Sequence, residues 1–235
     1  MQFEFPDLEM IWDKELDQNS VFKLKKLIVE RQHSLINIFP PDMLGRIKHV
    51  EELQIINCDS AEEVFVSPEA NIEEISFQLR YLSLDNLPKL QRVWGLDPDV
   101  ICTFQNIHEF KVSNCGSLRS LFPVSVAKQL LQLGLLEICD CGLEEIVGKE
   151  EGLKTTFIFP QLTSLILERL PQLKSFYGGE YKSQWPLLKD LNICNCDKLK
   201  SLGSDALSYK ETLGLWNPKK KHLLPVFLIE KVRAT

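Results

Sequence analysis

The sequence has no run approaching the 18 apolar residues that a membrane-crossing helix requires. Its first ten residues, MQFEFPDLEM, are acidic and carry no apolar core of the kind a secretory signal uses. It contains no G-x-S-x-G, no H-E-x-x-H and no phosphate loop of the form G-x-x-x-x-G-K-[ST], which leaves nucleophile-elbow hydrolysis, zinc proteolysis and nucleotide hydrolysis without their usual machinery. It has four histidines (His33, His49, His108 and His222), at unrelated points of the pattern described below, so no pair is offered to one metal or one substrate. A strong positive charge is also missing. With net charge −6, nucleic acid is a poor match as main partner, and the single basic run PKKKH at 218–222 reads as a solvated loop. At 44% apolar and 26% charged, the chain lacks the bias of a disordered segment.

What is present is a rhythm. In FQNIHEFKVSNCGSLRSL (residues 104–121), apolar side chains fall at Ile107, Phe110, Val112, Cys115, Leu118 and Leu121. That spacing combines a two-residue strand alternation with a step of three, and suits neither a helix nor a plain strand. With Phe110 as position 0, equivalents stand at Leu27, Leu53, Leu82, Leu136, Leu165 and Leu191, separated along the chain by 26, 29, 28, 26, 29 and 26 residues. Apolar residues recur at −3 and +2 of every unit, and position +5 holds Gln32, Cys58, Leu87, Cys115, Cys141, Leu170 and Cys196. Positions +8 and +11 are again largely apolar, except that the unit at Leu136 matches only after one residue is dropped, giving Leu143 and Ile146. These lengths and slots define a leucine-rich repeat. The expected fold is an α/β solenoid, a horseshoe with a parallel β-sheet on its concave face and short helices or irregular loops on its convex face. One coil alone cannot offset the entropy of ordering its residues, so the coils must stack.

A longer period of 83 residues lies over the first: HSLINIFPPDML answers GSLRSLFPVSVA, and LDNLPKLQRVWG answers LERLPQLKSFYGG. This reads as a duplicated cassette of three coils. Residues 1–21 are expected to form a partial coil, residues 22–202 about seven coils, and residues 203–235 an irregular segment ending in the strand-like LPVFLIEKV. Residues 39–49 and 125–133 suit convex helices, whereas WGLDPDV and YGGEYKSQW suit irregular loops.

Seven cysteines follow the repeat, so free thiols in a reducing cytoplasm fit better than disulfides. Cys139-x-Cys141 and Cys194-x-Cys196 resemble zinc pairs. Register opposes that reading, for Cys141 and Cys196 should point into the coil and Cys139 and Cys194 out of it. The two coils are also about 10 Å apart at about 4.8 Å per strand, far beyond a Zn–S bond of about 2.3 Å.

Strand alternation turns positions −1, +1 and +3 outward. They form three rows: Lys26, Glu52, Tyr81, Glu109, Leu135, Ser164, Asp190; then Ile28, Gln54, Ser83, Lys111, Glu137, Ile166, Asn192; then Glu30, Ile56, Asp85, Ser113, Cys139, Glu168, Cys194. Seven acids face two lysines, and Ile28, Ile56, Tyr81, Leu135 and Ile166 add apolar surface. This face is the candidate protein-binding site, with Lys26, Ile28, Glu52, Gln54, Ile56, Tyr81, Ser83, Asp85, Glu109, Lys111, Leu135, Glu137 and Ile166 as its contact residues.

The wording of CGSLRSLFPVSVAKQLLQLGLLEICDCGLEEIVGKEEG and of FIFPQLTSLILERLPQLKSFYGGEYKSQWPLLKDLNICNCDKLKSL, over nearly the whole chain, resembles the leucine-rich region of plant intracellular disease-resistance proteins of the coiled-coil, nucleotide-binding type. The resemblance implies a non-enzymatic, cytoplasmic module of innate immunity. It would sense a pathogen effector or a modified host protein and restrain the receptor's nucleotide-binding domain, with no cofactor, metal, membrane or small-molecule substrate of its own. The coiled coil, phosphate loop and switch domain of that family are missing from this sequence. A substrate-binding repeat arm of an F-box-type ubiquitin ligase, or a receptor fragment without function, are the alternative readings.

Overall fold

The computed structural model describes residues 24–66, 75–95, 102–150, 155–200 and 202. The partial coil expected over 1–21, the segment 203–235 with its basic run and His222, and most of the loop after Trp94 lie outside these residues. Seven parallel strands make the main sheet, in chain order: β1 (Lys26–Glu30), β3 (Glu52–Ile56), β6 (Tyr81–Asp85), β9 (Glu109–Ser113), β11 (Leu135–Cys139), β14 (Ser164–Glu168) and β17 (Asp190–Cys194). Leu27, Leu53, Leu82, Phe110, Leu136, Leu165 and Leu191 are register partners from strand to strand, as the repeat numbering requires. From the second coil onward they are buried, and the +2 residues beside them, such as Ile55, Leu84 and Val112, are buried too. The chain is a leucine-rich-repeat solenoid with little helix.

Each strand ends in the same way. Position +4 adopts a left-handed backbone in all seven coils: Arg31, Asn57, Asn86, Asn114, Asp140, Arg169 and Asn195 have φ between 53° and 56°. Asn and Asp tolerate this region best among residues with a Cβ, and five of the seven are Asn or Asp. The kink throws position +5 inward. The four slot cysteines are buried, and each thiol donates to the carbonyl two residues back, at 3.5 Å for Cys58, 3.3 Å for Cys115, 3.1 Å for Cys141 and 3.5 Å for Cys196. In the first coil Gln32 Nε2 does the same to Glu30 O at 3.1 Å. The slot thus takes a cysteine or glutamine that donates to the last strand carbonyl, or a leucine that only fills it.

A second ladder runs up the side of the solenoid in two pieces. One joins β2 (Asn37–Phe39), β4 (Glu63–Val66) and β7 (Arg92–Gly95); the other joins β10 (Ser120–Phe122), β12 (Glu145–Val147) and β15 (Ser175–Tyr177). Their inner positions stack aromatic rings: Phe39 on Phe65 at 5.7 Å and Phe65 on Trp94 at 5.1 Å. Where the ladder breaks, between the third and fourth coils, Trp94 Nε1 donates to Leu121 O at 2.9 Å and the ring lies 6.3 Å from that of Phe122. A side chain thus replaces the missing backbone bond.

The convex side spells out the 83-residue cassette. The first and fourth coils carry short helices, α1 (Pro41–Ile47) and α2 (Val124–Ala127). The second and third pair β5 (Ile75–Ser76) with β8 (Cys102–Thr103), and the fifth and sixth pair β13 (Thr155–Ile158) with β16 (Tyr181–Gln184). Helix, strand, strand is therefore written twice. The segment YGGEYKSQW is not the irregular loop its glycines and charges suggest. Its Ser183 is buried and donates to Leu202 O at 2.9 Å, while Lys182 and Gln184 face solvent, the alternation of a half-buried strand. The helix expected over 125–133 also stops early. Past Ala127 the chain unwinds to set Leu130 and Leu133 in the core, and Gln129 turns its carboxamide oxygen to the Phe104 N–H at 3.1 Å.

Candidate recognition surface

The three outward rows of the main sheet align residue for residue as the repeat numbering places them. All thirteen candidate contact residues lie on this face, and none is buried. The five apolar ones are half-buried, because neighbouring strands crowd their flanks. Among the described residues, the most exposed large apolar side chains are elsewhere: Ile36, Leu131, Ile158 and Leu187. The face is therefore apolar in patches set between charges, not one greasy strip.

Its charges are partly paired across strands. Lys26 Nζ lies 2.9 Å from Glu52. Lys111 is shared loosely between Glu109 at 4.0 Å and Glu137 at 3.8 Å, and its Nζ sits 6.0 Å from the centroid of the Tyr81 ring. Asp85 accepts from Ser113 Oγ at 2.6 Å and from Asn114 Nδ2 at 2.9 Å. Asn192 Nδ2 donates to Glu168 at 2.8 Å. These exposed pairs contribute about 0–1 kcal/mol each, so they set the pattern of the face more than its stability.

A polar rim that strand alternation alone does not predict borders row +3. Asn86 Nδ2 donates to Asn57 Oδ1 at 2.8 Å, and Arg169 forks onto Asp140, with Nε at 2.7 Å from Oδ1 and Nη2 at 2.6 Å from Oδ2, while its Nη1 reaches Glu168 at 3.1 Å. The guanidinium hydrogen bond holds the Asp140 carboxyl below its usual range and raises Arg169 further. The signal was available as Asn or Asp at +4 in five of the seven coils.

The thiols divide as register requires, with Cys141 and Cys196 buried and Cys139 and Cys194 half-exposed on the outer face. Burial, then the charges of Glu137 and Glu168, pushes Cys139 up to about 11, and burial alone leads the rise of Cys196 to about 11. Both folded values exceed the ordinary 9.0. The folded state thus favours the protonated thiol, and that contribution is complete below pH 9. It is lost as pH climbs toward 11, where the unfolded chain ionises first. Urea midpoints measured from pH 8 to 11 should fall across this window, and Cys139→Ala should flatten its share. A flat profile contradicts the assignment.

The family described as plant disease resistance protein RPS2-like, leucine-rich repeats, matches residues 2–142. The chain belongs to this family. Among curated relatives, disease resistance protein UNI of Arabidopsis thaliana is 31% identical over 115 residues, which cover 48% of this chain and 12% of that protein. Two probable disease resistance proteins of the same plant are similar: one is 31% identical over 115 residues (48% of this chain, 14% of the relative), the other 32% over 110 residues (44% and 11%). The chain thus spans only a small fraction of the length of these relatives. No solved structure matches. The matched stretch of this disease-resistance repeat region ends one residue past the Cys141 slot, and β14 and β17 continue its strands in unbroken register. Among its described residues, no helix is long and apolar enough to cross a membrane.

Proposed function

We propose that this repeat region is the cytoplasmic recognition arm of a plant immune receptor, non-enzymatic, which captures a pathogen effector or a modified host protein on its concave sheet. One observation carries the reading: three aligned rows of side chains, none of the thirteen candidates buried, on a sheet face that no described element covers. Such a face satisfies its own backbone within the sheet and leaves its side chains for a partner. Membership in a disease-resistance family supports the immune context. In the same reading, the arm also contacts the receptor's nucleotide-binding domain and holds it inactive until the partner arrives.

Reversing Glu52, Glu109 and Glu137 to lysine tests the capture face. Glu52 pairs with Lys26 only at the exposed surface and, among the described residues, the other two pair loosely with Lys111 at 3.8–4.0 Å, so the thermal midpoint should hold to within about 1 kcal/mol per pair. The pathogen-triggered response of a receptor carrying the region should fall about tenfold or more. A full response from a folded variant moves the binding face elsewhere. Restraint has a separate readout: deleting the region should raise unstimulated output, and unchanged output removes that part of the proposal.

A further inference from the structure

Within the concave face one carboxylate has an unusual setting. Glu137 is flanked along its own strand by Leu135 and Cys139, and across strands by Ile166 on one side and Lys111 on the other. Three of its four neighbours on the face are thus apolar or, for the thiol, neutral at physiological pH. The fourth, Lys111, reaches Glu137 only at 3.8 Å and divides itself with Glu109 at 4.0 Å. Two carboxylates therefore share one loosely held ammonium, on a face where seven acids stand against two lysines. The same Nζ stands 6.0 Å from the centre of the Tyr81 ring, at the outer edge of cation–π range.

An aliphatic frame around a half-compensated carboxylate suits a side chain with an apolar stem and a cationic head. A planar guanidinium can bridge two carboxylates where a single ammonium satisfies neither well. We propose that Glu137 and its frame seat an arginine of a protein partner, its stem along Leu135 and Ile166 and its head between Glu137 and Glu109. The proposal rests on the concave-face reading above and adds the chemistry of the partner: a basic residue next to an aliphatic or aromatic one. Lys111 is the competitor that the incoming arginine displaces toward Tyr81.

Selecting a displayed random-peptide library on the full chain tests this. Enriched peptides should carry arginine beside an aliphatic or aromatic residue. Glu137→Gln should weaken such a peptide about tenfold or more, the loss of a charged hydrogen bond. Lys111→Met should tighten it, a gain that general damage to the fold cannot produce. In the Glu137→Lys variant, the same peptide with its arginine changed to glutamate should recover binding. Ile28→Asp, at the far end of the sheet, should change nothing. Peptides without a cation, indifference to Glu137→Gln, or a selection that returns no binder each overturn the arginine seat. Sensitivity to Ile56→Asp alone would overturn the seat and leave the concave face standing. Indifference to every substitution on the face would remove both.

Discussion

Trp94→Ala is expected to be the most damaging single substitution on the side ladder, at about 3–5 kcal/mol for emptying a buried tryptophan site. The residue is 5% exposed and its ring lies 5.1 Å from Phe65, 4.3 Å from Phe104, 6.2 Å from Phe110 and 6.3 Å from Phe122, so its removal strips contacts from three coils at once. The variant also leaves the Leu121 carbonyl without its indole donor, where an unpaired buried acceptor costs about 1–3 kcal/mol. Trp94→Phe keeps a six-membered ring in the site and loses the N–H with the rest of the indole, so it retains much of the packing without the hydrogen bond. Urea denaturation should place Trp94→Phe well short of Trp94→Ala. Because the side ladder is broken at this point and solenoid stability is passed between neighbouring coils, the alanine variant should also unfold in two steps. The main sheet still crosses the junction through the pairing of β6 with β9, so the two halves stay attached while their cores part. A single transition shifted by less than about 1 kcal/mol would show that Trp94 is a filler and not the joint between cassettes.

How far the sequence discloses such features depends on whether a residue's role follows from spacing or from contact. Strand positions 0 and +2 were legible because a two-residue alternation admits one buried face, and a slip of one residue would turn Leu53 and Ile55 to solvent. The outward rows followed from the same parity, so the thirteen candidate residues fell on one face without further information. The convex strands were hidden. Tyr181–Gln184 is written in polar residues, and what makes it a strand is the partner Thr155–Ile158, 26 residues away. The length of α2 was hidden too, because Gln129 leaves the helix to meet Phe104, a contact between coils. The rim of Asn57, Asn86, Asn114, Asp140 and Asn195 has a sequence signal of its own, since asparagine or aspartate recurring just before the slot indicates a left-handed turn. Which rows bind depends on the partner's shape and charge, which this chain's own periodicity does not encode.

Gly142→Ala is expected to cost about 1–3 kcal/mol, the range for forcing atoms into a packed site. Its counterpart Gly116→Ala, one coil earlier, should be neutral or slightly stabilising. The asymmetry comes from one missing residue. In other coils the turn after the slot closes on itself, as Leu118 N to Cys115 O at 3.3 Å and Leu199 N to Cys196 O at 3.1 Å. The fifth coil is one residue short there, so Gly142 N reaches across to Cys115 O of the coil below, at 3.1 Å. That bond draws the Gly142 backbone down onto Gly116. A Cβ at 142 would stand 2.0 Å from the Gly116 carbonyl oxygen and 2.9 Å from its carbon. Both contacts are backbone, so no side-chain rotation relieves them. A Cβ on Gly116 meets nothing within 4 Å. Relief in the Gly142 variant requires the two coils to separate at the turn, which loosens the Cys115 and Cys141 slots and, through Asn114 N to Cys139 O at 3.2 Å, the end of β11. Hydrogen exchange in Gly142→Ala should therefore rise first at Asn114 and Gly142, before β14 is affected. Equal stabilities for the two alanine variants would mean that the short turn is slack, and that the fifth coil keeps its register by the strands alone.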